Sequence, residues 1–149
     1  MTPTSAAPPT ETAQFLQSMA SPDAAVRRAA AAFARRRGAG ALPGLADLAA
    51  APDKALAKAA QKAMADITHH AARPGTPGES RQAAAALRTV AQATARPRMV
   101  RAHALHLLGF VATAADVPGL RALLADTEVG GDARLALERI GGGGGAAKR

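Results

Sequence analysis

Two stretches of this chain are variations on one theme. Residues 22–45 read PDAAVRRAAAAFARRRGAGALPGL, and residues 97–120 read PRMVRAHALHLLGFVATAADVPGL. Both place Val-Arg near the front and Pro-Gly-Leu at the end, and softer copies begin at Leu56 and Val129. Each copy reads as a helix, a break and the opening of a second helix. A two-helix unit buries little apolar surface by itself, so units that recur along one chain stack on their neighbours. The expected fold is all-α: an α-solenoid, a right-handed stack of about four antiparallel helix pairs.

The repeat has a register. With Val26, Leu56, Val100 and Val129 as position zero of each second helix, position four is alanine throughout: Ala30, Ala60, Ala104 and Ala133. Position seven holds Phe33, Ala63, Leu107 and Ala136, and position eight Ala34, Met64, Leu108 and Leu137. Position eleven holds Arg37, Ile67, Val111 and Ile140. These offsets share one face of a helix, and only Arg37 interrupts it. Leu42 and Leu45, Leu87 with Val90, and Leu120 with Leu123 supply matching faces on the first helices. Val26, Ala30, Phe33, Leu56, Ala60, Met64, Val100, Ala104, Leu107, Leu108 and Leu137 are therefore expected to be buried beside those leucines.

Composition supports helices over sheets. Hydrophobic residues make up 48% of the chain, but many are alanine, and there are three Phe and no Trp or Tyr. Alanine has the best helix propensity, and a sheet protein draws more on β-branched and aromatic side chains. Without cysteine, disulfides and thiolate metal sites are excluded.

Boundaries follow from the same reading. Residues 1–10 are rich in Pro, Thr, Ser and Ala and are expected to be disordered. Ser21 is placed to cap the first repeat helix, with Pro22 in its opening turn and Asp23 at the positive end of its dipole. The helical domain is expected over 11–140, with an inserted loop at about 72–80. In that loop prolines and glycines punctuate the longest gap between copies. Residues 141–149 open on five glycines, a costly composition for a helix, and are expected to form a flexible tail. No leader or membrane-length apolar run is evident, so a cytoplasmic protein with no membrane role is expected.

The pattern Val-Arg, then Ala, then an Ala-Leu-like pair and an aliphatic residue resembles bacterial HEAT repeats. The likeness is closest to the short HEAT-like repeats of phycobiliprotein lyase subunits. It rests on Asp23, Val26, Arg27, Ala30 and Phe33, on Val100, Arg101, Ala104, Leu107, Leu108 and Val111, and on the ending Leu135–Ile140. The units here are nearer thirty residues than the ~40–47 of longer HEAT repeats. The resemblance implies a helical stack whose second helices line a concave binding face, and a role as an accessory subunit of an enzyme complex.

Searching for chemistry yields a binding surface and no catalytic group. His69 and His70 are adjacent and diverge on a helix, while His103 and His106 share a side without an adjoining carboxylate. No metal, cofactor or enzymatic activity is expected. The net charge is +8, and residues 24–101 carry fourteen basic side chains against four carboxylates. Lys54, Lys58 and Lys62 stand at i, i+4 and i+8, where like charges cost about 0.2–0.5 kcal/mol per pair. Arg28 and Arg35 fall on the same side in the preceding copy. These five residues are the expected partner-binding site. The partner is another protein presenting an acidic segment, with nucleic acid as a weaker, non-specific rival attracted by the same charge.

Overall fold

Aspartates begin two of the helices that carry the repeat. The computed structural model of the protein describes the backbone of residues 11–147 and the side-chain surroundings of residues 11–140; the expectation for residues 1–10 lies outside them. Among the described residues there are eight α-helices and no strand. They are α1 (Glu11–Met19), α2 (Ala24–Ala32), α3 (Leu42–Ala49), α4 (Lys54–Ala71), α5 (Pro77–Gln92), α6 (Arg98–Val111), α7 (Val117–Ala122) and α8 (Gly130–Ala147).

Asp23, not Ser21, caps α2, its carboxylate accepting from the Ala25 amide at 2.8 Å. Ser21 takes the Asp23 amide one step earlier, at 3.1 Å. Asp53 does the same service for α4, accepting from Ala55 and Leu56 at 3.0 and 3.2 Å. The cap satisfies amides that have no partner within the helix.

The helices associate as the pairs α1–α2, α3–α4, α5–α6 and α7–α8. Between pairs, α3 meets α5, α4 meets α6 and α6 meets α8, while α4 also meets α5 and α1 meets α4. One hydrophobic cluster runs through the whole arrangement from Phe15 to Ala136.

The recurrent Pro-Gly has a packing reason. Pro43 and Pro118 sit in the first turn of α3 and α7, where the missing amide costs nothing. A Cβ at Gly44 would run into Leu16 of α1, and one at Gly119 would meet Arg88 of α5 at 2.7 Å. Glycine leaves the Leu16 and Arg88 side chains undisplaced at these two positions.

The recurrent Val-Arg is explained by Arg101, which is 1% exposed. Its Nε donates to the Ala91 carbonyl at the end of α5 at 2.8 Å, and its Nη2 donates to Asp126 at 2.7 Å. Arg27, at the same repeat position, is half-buried and donates to the Ser21 carbonyl at 2.7 Å.

Of the side chains expected inside, Leu42, Leu45, Ala60, Met64, Leu87, Val100, Ala104, Leu107, Leu108, Leu120 and Leu123 are buried. Ala30 and Leu137 are half-buried against the core, and Leu56 is half-buried. Val26 and Phe33 are exposed, at 40% and 53%. For Phe33 the reason is local: α2 ends at Ala32, and Phe33 leaves helical geometry at φ −108°, ψ 8°. The chain then tightens into a 3-10 turn, Ala34–Arg37, which brings Ala34 into the core instead. Arg37 interrupts the apolar face, and its Nη1 reaches Glu11 of α1 at 3.1 Å.

Two expected breaks differ. The connection after α4 is confined to residues 72–76, since Pro77 begins α5. Gly75 turns the chain there at φ 88°, and Arg73 holds Glu79 through two 3.1 Å contacts. At the other end the backbone of α8 stays helical through the five glycines to Ala147. Glycine is unfavourable there by about 1 kcal/mol per residue relative to alanine, but it does not forbid the helical conformation.

Candidate binding face

The second helices carry the cationic residues singled out by their spacing, and grooves between neighbouring helices gather them. Lys54, Lys58 and Lys62 are all exposed along α4, and Arg28 and Arg35 are exposed on α2 and the turn that follows it. Nothing apolar covers these side chains because they lie away from the buried stripe Ala60, Ala63, Met64 and Ile67 of the same helix.

Three hollows flank α4. Between α2 and α4, a hollow of about 570 Å³ is lined by Arg35, Lys62, Asp66, His69, His70 and Arg73 over Ala31 and Ala32. Between α4 and α6, one of about 610 Å³ is lined by Lys58, Lys62 and His103 over Ala55, Ala59 and Ala65. At the start of α4, Lys54 and Lys58 border a third of about 560 Å³ with Pro97, Met99 and Val100. Alanines floor the first two, so cationic side chains stand at the edges of shallow apolar troughs.

The five expected residues are thus partly united. Lys62 faces Arg35 across one hollow and shares the next with Lys58, while Lys54 borders only the third. Arg28 is exposed on α2 but lines none of these three hollows. The lysine register is also relieved: the Lys62 ammonium lies 3.0 Å from Asp66, one turn on. An exposed pair of this kind contributes about 0.3–0.5 kcal/mol, so it leaves Lys62 free to exchange partners.

A second cluster escaped the spacing argument. The Phe110 ring on α6 is 44% exposed and meets His69 of α4 edge-on at 4.8 Å. It meets His106 at 5.5 Å, and the Arg139 guanidinium of α8 stands 5.2 Å from its centroid. Three helices contribute, so no single-helix spacing announces the group. The available signal was an aromatic residue ten positions after Val100, away from the buried face. Desolvation lowers the His103 pKa, with His106 adding to it. Desolvation also lowers that of His106, reinforced by the Arg139 and His69 charges.

The face can therefore offer ammonium and guanidinium donors, two imidazoles that stay neutral more readily than usual, and alanine-floored grooves. That is equipment for holding an extended, negatively charged chain. Among the described residues no group of three or more His, Asp or Glu is placed to hold a metal ion, and no helix is long and apolar enough to cross a membrane. No known protein family, curated protein or solved structure matches the chain.

Proposed function

We propose that this protein is a non-enzymatic interaction module, a short HEAT-like α-solenoid that holds an acidic segment of a partner protein along the basic side of α4. The observation that carries the reading is the placement of Lys62. It edges the α2–α4 hollow with Arg35 and the α4–α6 hollow with Lys58, so one acidic strand lying across α4 meets three cations. Four successive helix pairs, with α3 against α5, α4 against α6 and α6 against α8, support the solenoid. Among the Val-Arg positions that carry the HEAT resemblance, Arg101 has a packing role here.

The test compares wild type with Lys54→Glu/Lys58→Glu/Lys62→Glu for capture of a fluorescent glutamate-rich peptide at ~0.15 M salt. The triple variant changes only exposed positions, so the unfolding free energy stays within about 0.5 kcal/mol while capture falls at least tenfold. Equal capture by the two proteins refutes the reading. A single-stranded oligonucleotide serves as the rival ligand, and its binding is expected to be non-specific and to collapse as salt rises.

A further inference from the structure

The repeat register identifies a second surface at the opposite edge of α2. In α6 and α8, positions zero and seven are buried beside the preceding second helix. Val100 shares a hollow with Ala57 and Gln61 of α4, and Ala136 shares one with Leu105 and His106 of α6. In α4 the same positions are half-buried Leu56 and buried Ala63. In α2 they are Val26 and Phe33, both exposed, and no second helix precedes α2 among the described residues. Ala25 and Ala29 are exposed with them, and spacings of one and four from Ala25 put Val26 and Ala29 on one side of α2, with Phe33 just past its end.

We propose that this face docks an acidic amphipathic helix of a partner protein. Charge selects that occupant. Arg28 and Arg36 are exposed on α2 and its following turn, and the Arg36 guanidinium stands 5.5 Å from the Phe33 ring. The adjoining α1–α2 groove, about 270 Å³, is lined by Glu11, Gln14, Phe15, Ser18, Ala30, Phe33 and Arg37, with Arg37 already paired to Glu11. The Nε of Arg37 is buried there without a hydrogen-bond partner among the described residues. A second copy of the chain would bring arginines against arginines, and residues 1–10 contain no carboxylate side chain to meet them. An acidic helix covers the apolar face and answers the charge together. This surface is separate from the α4 lysines and does not depend on their role.

The experiment uses the full chain and a labelled amphipathic peptide of about 18 residues, long enough for helix formation on binding, with leucines at i, i+3, i+4 and i+7 and glutamates on the flanks. A control peptide carries lysines for glutamates. Fluorescence anisotropy at ~0.15 M salt is expected to show binding of the acidic peptide alone. Val26→Ser/Phe33→Ser is expected to weaken it by more than about tenfold, as loss of two apolar anchors implies, with the thermal midpoint unchanged. The Lys54→Glu/Lys58→Glu/Lys62→Glu protein is expected to bind it within about threefold of wild type. No binding by wild type, equal binding of the lysine peptide, or a loss confined to the α4 variant overturns the proposal. So does a dimer that Val26→Ser/Phe33→Ser dissociates, which makes a second copy the occupant. So does a manyfold gain in peptide affinity on deleting residues 1–10, which makes the chain's own leading segment the occupant.

Discussion

The Arg101 guanidinium on α6 lies 2.7 Å from the Asp126 carboxylate in the connection between α7 and α8, and it joins the third helix pair to the fourth. The same side chain holds the last turn of α5 through Ala91. Hydrogen bonding from Arg101, then from the Glu128 and Val129 amides, lowers the Asp126 pKa from 3.8 to about 2.

Replacing Arg101 with methionine keeps much of the apolar stem but leaves Asp126 and the Ala91 carbonyl without their donor. The thermal midpoint is expected to fall by on the order of 10 °C, read by circular dichroism. Because the folded pKa of Asp126 is depressed, its stabilising contribution is fully present above about pH 4 and is lost as pH falls towards 2. Asp126→Asn is expected to flatten the acid limb of the unfolding profile in that window. An unaltered acid limb would place its origin in other carboxylates.

Two neighbouring glycines at the start of α8 should respond oppositely to the same change. A Cβ on Gly130 would come within 2.5 Å of the Leu124 backbone carbonyl, whereas one on Gly131 meets nothing within 4 Å. Backbone cannot swing aside as a side chain does, so Gly130→Ala is expected to cost about 1–3 kcal/mol. Gly131→Ala is expected to stabilise by about 0.5–1 kcal/mol through helix propensity and a less flexible unfolded chain. Urea unfolding of the two variants measures both signs.

Acid sensitivity above pH 4 is expected from histidine. His103 and His106 have folded pKa values lowered from 6.5, chiefly by desolvation. The unfolded chain then takes up protons first, so stability is complete above pH 6.5 and declines as pH falls below it. His69, Arg139 and Phe110 surround His106, so protonation there adds a cation beside existing positive charge. The midpoint at pH 5.5 is expected to lie below that at pH 7.5, and His103→Gln/His106→Gln to reduce the difference. An equal difference in the variant would assign the effect elsewhere.

Much of the fold was legible because helical periodicity is local. Ala60, Met64, Val100, Leu107 and Leu108 are buried where their offsets place them, and the Pro-Gly pairs open first helices. Phe33 was misplaced because the register assumes that a helix continues; α2 stops one residue earlier, and the 3-10 turn rotates the following positions. The binding face was legible in part for a related reason. A stripe at i, i+4 and i+8 on one helix is visible in the residues, whereas the approach of Arg35 to Lys62, or of His69 to Phe110, belongs to two helices at once.

What the sequence determined by itself is the set of elements: helices of alternating order, and one apolar side on each. Those depend on interactions within a few residues, which spacing and propensity record directly. Tertiary structure decided which members of a repeated position are covered. Val26 and Val100 share a register position and a side-chain type, yet one is 40% exposed and the other 2%. The difference is whether an earlier second helix lies alongside, and burial is a property of the neighbour as much as of the residue.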